Sequence, residues 1–383
     1  MASGIDAERI EAIRTTVERD IDRGRYWGAA IKVARGGELV LDAAIGSVDA
    51  AGTTPLRTDT VFSVLSVTKA FVNVLVLRAI EAGRIALTTP MSEIVPEYAG
   101  APRDQATILH FLTHTTGVGA MWEMRPGMAL DDLSEAVEAV CALAHGANPP
   151  GTRCDYSPMA NHVLLAEVLR RTDSAKRPIG DILREDLFEP LGMSDTALGI
   201  KRHMRARHAV PDFRGTVPIR HLSRQVAGDN GLFEAESQEA VWMGGASTTA
   251  DLLTFADTLR RGGVTATGTR LLAPRTVALA RRNQTGELPN ELYKTVALRN
   301  GYEPAPAYLG LGFSLRGERL VRHQFGTLTT PETFGNYGAG SCLYWIDPEL
   351  DLVFVALTAG LLPQADNITR FQTLSDLAVA ATC

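Results

Sequence analysis

Only five of the 38 basic residues in this chain are lysine: Lys32, Lys69, Lys176, Lys201 and Lys294. Cysteine is nearly as scarce. Cys141, Cys154, Cys342 and Cys383 show no CxxC spacing, which excludes a dense disulfide framework and a thiolate zinc site. No apolar run approaches the ~18 residues that a membrane-spanning helix needs. The N-terminal stretch "MASGIDAERIEAIRTTVERDIDRGR" has no apolar core of the signal-peptide kind, so a cytoplasmic location is expected. There is no excess of positive charge. With a net charge of −6, the surface attracts neither nucleic acid nor an anionic membrane. The strand-to-helix elbow G-x-S-x-G is missing too, which argues against the Ser-His-Asp hydrolases built on it.

What remains is an ordinary globular composition, 45% hydrophobic and 21% charged over 383 residues. That length allows one large domain or two intertwined ones. The first ~25 residues follow a helical period. "GAAIKVARGGELVLDAAIG" alternates and breaks at Gly36-Gly37, as a β-hairpin does. A long helix is expected from near Ser66 to "AGRIAL", packed on the sheet and facing the helices that follow. Helical patterns dominate from 84 to about 265. "YLGLGFSLRGERLVRHQFG" and "SCLYWIDPELDLVFVALTAG" then return to strand-like alternation. The order predicts an α+β architecture, with an antiparallel sheet domain from residues 1–83 and 266–383, a helical subdomain from 84–265, and the active site between them. Segments 203–240 and 283–306, rich in polar residues, Gly and Pro, read as flexible.

Lys69 is the one lysine followed by a long apolar stretch, "AFVNVLVL", and it alone has a serine three residues earlier. On a helix, residues i and i+3 share a face, so the amine of Lys69 can approach the hydroxyl of Ser66. A lysine desolvated by apolar neighbours has a lowered pKa and can help take the serine proton. An N-cap serine followed by an incidental lysine would give the same letters.

The surroundings decide between these readings. "DTVFSVLSVTKAFV" resembles the first box of the serine β-lactamase-like superfamily, which includes class C β-lactamases, D-alanyl-D-alanine peptidases, D-aminopeptidases, family VIII carboxylesterases and the lovastatin-type acyltransferase. "WGAAIKVARGGELVLDAAIG" resembles that family's N-terminal hairpin, "TILHFLTHTTGV" its threonine-histidine segment and "PPGTRCDYSPMANHVLLAEVL" its second box. Further on, "LFEPLGMSDT" and "GGASTTADLLTFADTL" resemble its later helical signatures, and "FGNYGAGSCLYWIDPE" its third box. The resemblance implies a β-lactamase/transpeptidase-like fold, an α/β sandwich with an inserted all-helical subdomain. It makes Ser66 the nucleophile, with Lys69 and Tyr156 as a coupled base and the phenol acidified by the ammonium. The N–H groups of Ser66 and Ala339 would form the oxyanion hole, and no metal or organic cofactor is needed.

Two departures narrow the activity. The second box carries Pro158 where lactamases place an asparagine, and the third reads Asn336-Tyr337-Gly338 in place of K-T-G or H-x-G. Neither an amide donor at 158 nor a cation at 336 is present to hold a lactam. A carboxylesterase acting on an ester or thioester is therefore the leading expectation, with a small-molecule acyl donor, free or bound to CoA or a carrier. An acyltransferase is the alternative. β-Lactam or D-amino-acid peptide hydrolysis, and a non-catalytic binding protein, rank below them. Asn336, Tyr337 and Gly338 are expected at the substrate, with Tyr337 either narrowing the pocket or packing as a strand residue. Met121, Trp122 and Met124, grouped with Met128 in "GVGAMWEMRPGM", either line the acyl pocket or belong to the core. His110 and His114 lack a third metal ligand, and His114 is expected in a structural hydrogen bond. "GLGFSLRG" lacks the following helix that a nucleotide site requires.

Overall fold

The two ends of the chain meet in the middle of one sheet. The computed structural model describes residues 4–121, 125, 128–146, 148–211 and 231–383. Strands β1 (Gly28–Arg35) and β2 (Glu38–Gly46) form the expected hairpin, turning at Gly36 and Gly37 with φ of 61° and 86°, a region open to glycine. Four later strands, β3 (Ser314–Leu315), β4 (Phe334–Gly338), β5 (Cys342–Asp347) and β6 (Leu352–Ala359), complete a sheet of order β2-β1-β6-β5-β4-β3. Every pairing is antiparallel, and β1 lies along β6 from Gly28↔Ala359 to Arg35↔Leu352. The fold is α+β, as expected.

Both faces of this sheet are covered, and the two-residue period of β6 shows how. Leu352, Phe354 and Ala356 point into a core shared with the N-terminal helix α1 (Ala7–Asp22) and the C-terminal helix. Val353, Val355 and Leu357 point the other way, into the larger core. There helix Thr249–Arg260 packs directly on the sheet, although it lies in the stretch expected to form the separate helical subdomain. That stretch is not all helical either. Ala197–Leu198, His208–Ala209 and Gly245–Ser247 join Val61–Ser63 in a second, four-stranded sheet.

Helix α2 (Thr68–Glu81) has eleven of its fourteen residues buried, which makes it a central helix. Phe71 meets Phe188 and Phe255 edge-on, with centroids 5.1 and 5.2 Å apart. The helix packs against α3 (Ala160–Thr172) and lies behind Thr249–Arg260, which is the element that covers the sheet. It begins after Ser66, which sits on a preceding single turn, Leu65–Val67.

Two further expectations change. Most of "YLGLGFSLRGERLVRHQFG" is loop, because the buried Arg316 guanidinium caps the carbonyls of Gly317, Arg319 and Thr327 that a strand would have paired. Within 283–306 the structure has a helix, α4 (Glu291–Arg299), whose Tyr293, Val296 and Ala297 share one face. Part of 203–240 lies outside the described residues. Among the described residues, no helix is long and apolar enough to cross a membrane.

Candidate active site

The turn bearing Ser66 is pinned from three sides. Leu65 just before it has φ of 48°, a left-handed conformation that strains a branched residue. Thr68 Oγ1 donates to Leu65 O at 2.6 Å and accepts from the Gly245 N–H at 2.9 Å, while the Val64 N–H donates to Gly245 O at 2.8 Å. On the remaining side strand β4 presses against the turn. A Cβ at Gly338 would stand 2.6 Å from Val64 O and 3.0 Å from the Leu65 side chain, so glycine there lets the strand approach. This brings the backbone at 338, and with it Ala339, against the turn that carries Ser66.

Lys69, 3% exposed, places Nζ 3.0 Å from Ser66 Oγ and donates to Trp242 O at 2.7 Å. Among the described residues it has no ion pair with a carboxylate. Burial without that compensation pushes its pKa well below the usual lysine range, which makes the amine beside the serine a readier proton acceptor. The half-buried Tyr156 completes the group. Its ring centroid is 5.3 Å from Lys69 Nζ, and its hydroxyl is near enough to Ser66 for the serine to act on its pKa. The expected acidification of this phenol is not found. Burial raises its pKa, with Tyr293 adding to the rise, and outweighs the lowering by Ser66.

His114 positions Tyr156. Its ring packs 4.7 Å from the tyrosine ring, and its Nδ1 accepts from the Ser157 N–H at 3.0 Å. The Asp155 N–H donates to His114 O at 2.9 Å, and the Tyr156 N–H to Asn290 Oδ1 at 3.3 Å. Burial, with Lys69 as a lesser contributor, pushes the His114 pKa down to about 3 and keeps the ring neutral. His110 instead closes a capping box with Thr107. The two histidines serve backbone groups, as expected for His114.

These residues line a cavity of about 120 Å³. A cavity on the order of 150 Å³ holds a single aromatic ring, so the space suits a short acyl chain. Apolar wall comes from Val296, Ala297, Leu309 and Phe313. Asn336 lines it, but its side chain is occupied: Nδ2 donates to Gly312 O at 3.1 Å and Oδ1 accepts from the Tyr344 hydroxyl at 2.7 Å. Tyr337 both lines the cavity and packs against the sheet core, with its ring 6.0 Å from that of Tyr293. Met121 packs against the larger core and is not on the cavity wall, and Met128 is buried in that core. Trp122 and Met124 lie outside the described residues.

Several cavity residues escaped the sequence reading. Asn73 follows Lys69 by one helical turn, so the i, i+4 rule could have found it. Tyr293, together with Val296 and Ala297, lies in a segment whose sequence reads as flexible. His162, six residues after Tyr156, and the Trp242 carbonyl had no local signal.

With this geometry in place, the comparisons with known proteins gain meaning. The family model described as Beta-lactamase matches residues 13–378. The chain is 32% identical over 222 residues to Esterase EstB of Burkholderia gladioli, a match covering 54% of each chain, and so about half of that relative's length. It is 28% identical over 306 residues to Penicillin-binding protein 4 of Amycolatopsis lactamdurans, covering 77% of this chain and 74% of that one. Among solved structures, a penicillin-binding protein homologue from Caulobacter crescentus superposes with a TM-score of 0.77 at 25% identity, covering 97% of both chains.

Proposed function

The chain belongs to the Beta-lactamase family, and within it we propose that it is a serine hydrolase that cleaves carboxylic esters of short acyl groups through an acyl-Ser66 intermediate. The observation that carries this reading is the buried Lys69 amine 3.0 Å from Ser66 Oγ, held by the Trp242 carbonyl and, among the described residues, by no carboxylate, with its pKa lowered by burial.

The mechanism follows from where protons can go. Lys69 takes the proton of Ser66 as Oγ attacks the ester carbonyl, which becomes a tetrahedral oxyanion. The N–H groups of Ser66 and Ala339 would stabilise that oxyanion, an interaction of about 3–4 kcal/mol per donor in comparable sites. Tyr156, beside Ser66, delivers a proton to the departing alkoxide and is reprotonated from Lys69. The bond to the alcohol breaks and acyl-Ser66 remains. Water then attacks the acyl carbon, losing its proton along the same path, and returns free Ser66 and a carboxylic acid. No step requires the phenol to be ionised at rest.

An ester is favoured over a lactam for two reasons. Pro158 offers no amide, and the Asn336 side chain is already engaged by Gly312 and Tyr344. A substrate carboxylate would therefore find no cation at either position. The test is pre-steady-state hydrolysis of p-nitrophenyl acetate. A burst stoichiometric with enzyme is expected, and it is lost in Ser66→Ala. Wild-type turnover in that variant would end the proposal. Adding a small alcohol to the same assay reads whether water or a hydroxyl accepts the acyl group.

A further inference from the structure

The cavity wall carries a second polar pair that acyl-serine chemistry leaves unused. Asn73 on α2 and His162 on α3 are each 1% exposed, and both line the cavity. Asn73 Nδ2 donates to Gly312 O at 2.8 Å, which leaves Oδ1 as the amide atom 2.9 Å from His162 Nε2. An oxygen acceptor there requires the ring proton to be on Nε2, so Nδ1 is left as a bare lone pair. Burial, with Lys69 and His114 adding to it, holds the imidazole in this neutral form. Among the described residues, no donor reaches the buried Nδ1. An acceptor left in that state is destabilising, and native proteins rarely leave one without a partner.

The pair stands close to the reacting atoms. The His162 ring packs 5.7 Å from the ring of His114, which packs 4.7 Å from that of Tyr156, the phenol beside Ser66. Asn73 lies one helical turn beyond Lys69. A group bound at Nδ1 would thus share the cavity with the acyl chain on Ser66.

We propose that His162 Nδ1 is an acceptor subsite for an O–H group on the acyl portion of the substrate, so that the enzyme selects hydroxyacyl esters over plain alkanoyl esters. This rests on the acyl-serine reading and names its substrate class. A buried polar group built to meet a substrate hydroxyl rejects the analogue lacking it, because the site is then left unpaired. Water could satisfy the same lone pair, and the experiment separates the two.

The test compares kcat/KM for p-nitrophenyl esters of butyric, 3-hydroxybutyric and 4-hydroxybutyric acids. The wild-type enzyme is expected to favour one hydroxy ester at least tenfold. The ratio should fall to near one in His162→Phe, which keeps a ring against His114. The same is expected in the double variant Asn73→Leu/His162→Phe, which replaces both partners with apolar groups in case the single variant folds poorly. Only the ratio is read, whatever each variant's absolute rate. Turnover of all three esters without discrimination would mean that Nδ1 holds only water. That would overturn the subsite and leave the acyl-serine reading intact. A preference that survives in both variants would overturn it equally. Failure to turn over any ester, with Ser66 never acylated, would overturn the reading on which it rests.

Discussion

The Lys69 amine is anchored to the backbone carbonyl of Trp242, 2.7 Å away, and Trp242 comes from a stretch 173 residues further along the chain. A carbonyl orients an amine without holding its proton as a carboxylate would, so Lys69 can stay neutral in a water-poor site. Arginine cannot be deprotonated in a protein. Lys69→Arg, which also places an unpaired cation in the buried site, is therefore expected to lower the acylation rate of the folded fraction by about 10²–10⁴, the range ascribed to a positioned general base. Stopped-flow measurement of the p-nitrophenolate burst checks this.

The same burial predicts a pH signature. Below its lowered pKa, Lys69 is protonated and inactive, so the acylation rate rises with pH and then levels off. Stability follows in sign. Between the folded and unfolded pKa values of Lys69 the unfolded chain binds the extra proton, so this group makes stability rise with pH across that window. Denaturant melts of wild type and Lys69→Met, compared at several pH values, should show wild type gaining on the variant as pH increases. A constant difference would contradict the buried neutral amine.

Buried neutral histidines pull in the same direction at lower pH. His114 and His323 are pushed down to about 3 and His208 to about 4, each chiefly by burial. Their contribution is fully present above the unfolded value near 6.5 and is lost as pH falls towards the folded values. The urea midpoint should drop steeply between pH 6.5 and 4. His114→Gln should flatten part of that slope.

Gly338 predicts a steric effect on rate. An added Cβ would meet the Val64 carbonyl and the Leu65 side chain, moving β4 relative to the turn that carries Ser66. Gly338→Ala should lower kcat by about 10²-fold with a smaller change in KM, since a displacement near 1 Å suffices for that loss. Steady-state kinetics on a short-chain ester separates the two parameters.

Much of this site was legible in sequence because its chemistry is local. Ser66 and Lys69 lie one turn apart, and the alternation of β2 with the short apolar, turn-bounded runs of β1, β5 and β6 is enough to place the sheet. Three things were not legible. Arg316 caps carbonyls and so turns an alternating segment into loop, a choice that depends on tertiary burial. The helix at Glu291–Arg299 hides three cavity residues within a polar segment. The protonation states depend on how completely the site is buried. The expectation that an ammonium acidifies Tyr156 failed because burial of the phenol raises its pKa.

The central claim is a covalent acyl group on Ser66, and intact-mass spectrometry with peptide mapping after brief exposure to p-nitrophenyl acetate tests it most directly. One acetyl group per chain is predicted, mapped to the peptide containing Ser66, absent from Ser66→Ala, and accumulating more slowly in Lys69→Arg. An unmodified chain during active turnover, or an acetyl group mapped elsewhere, would contradict the account.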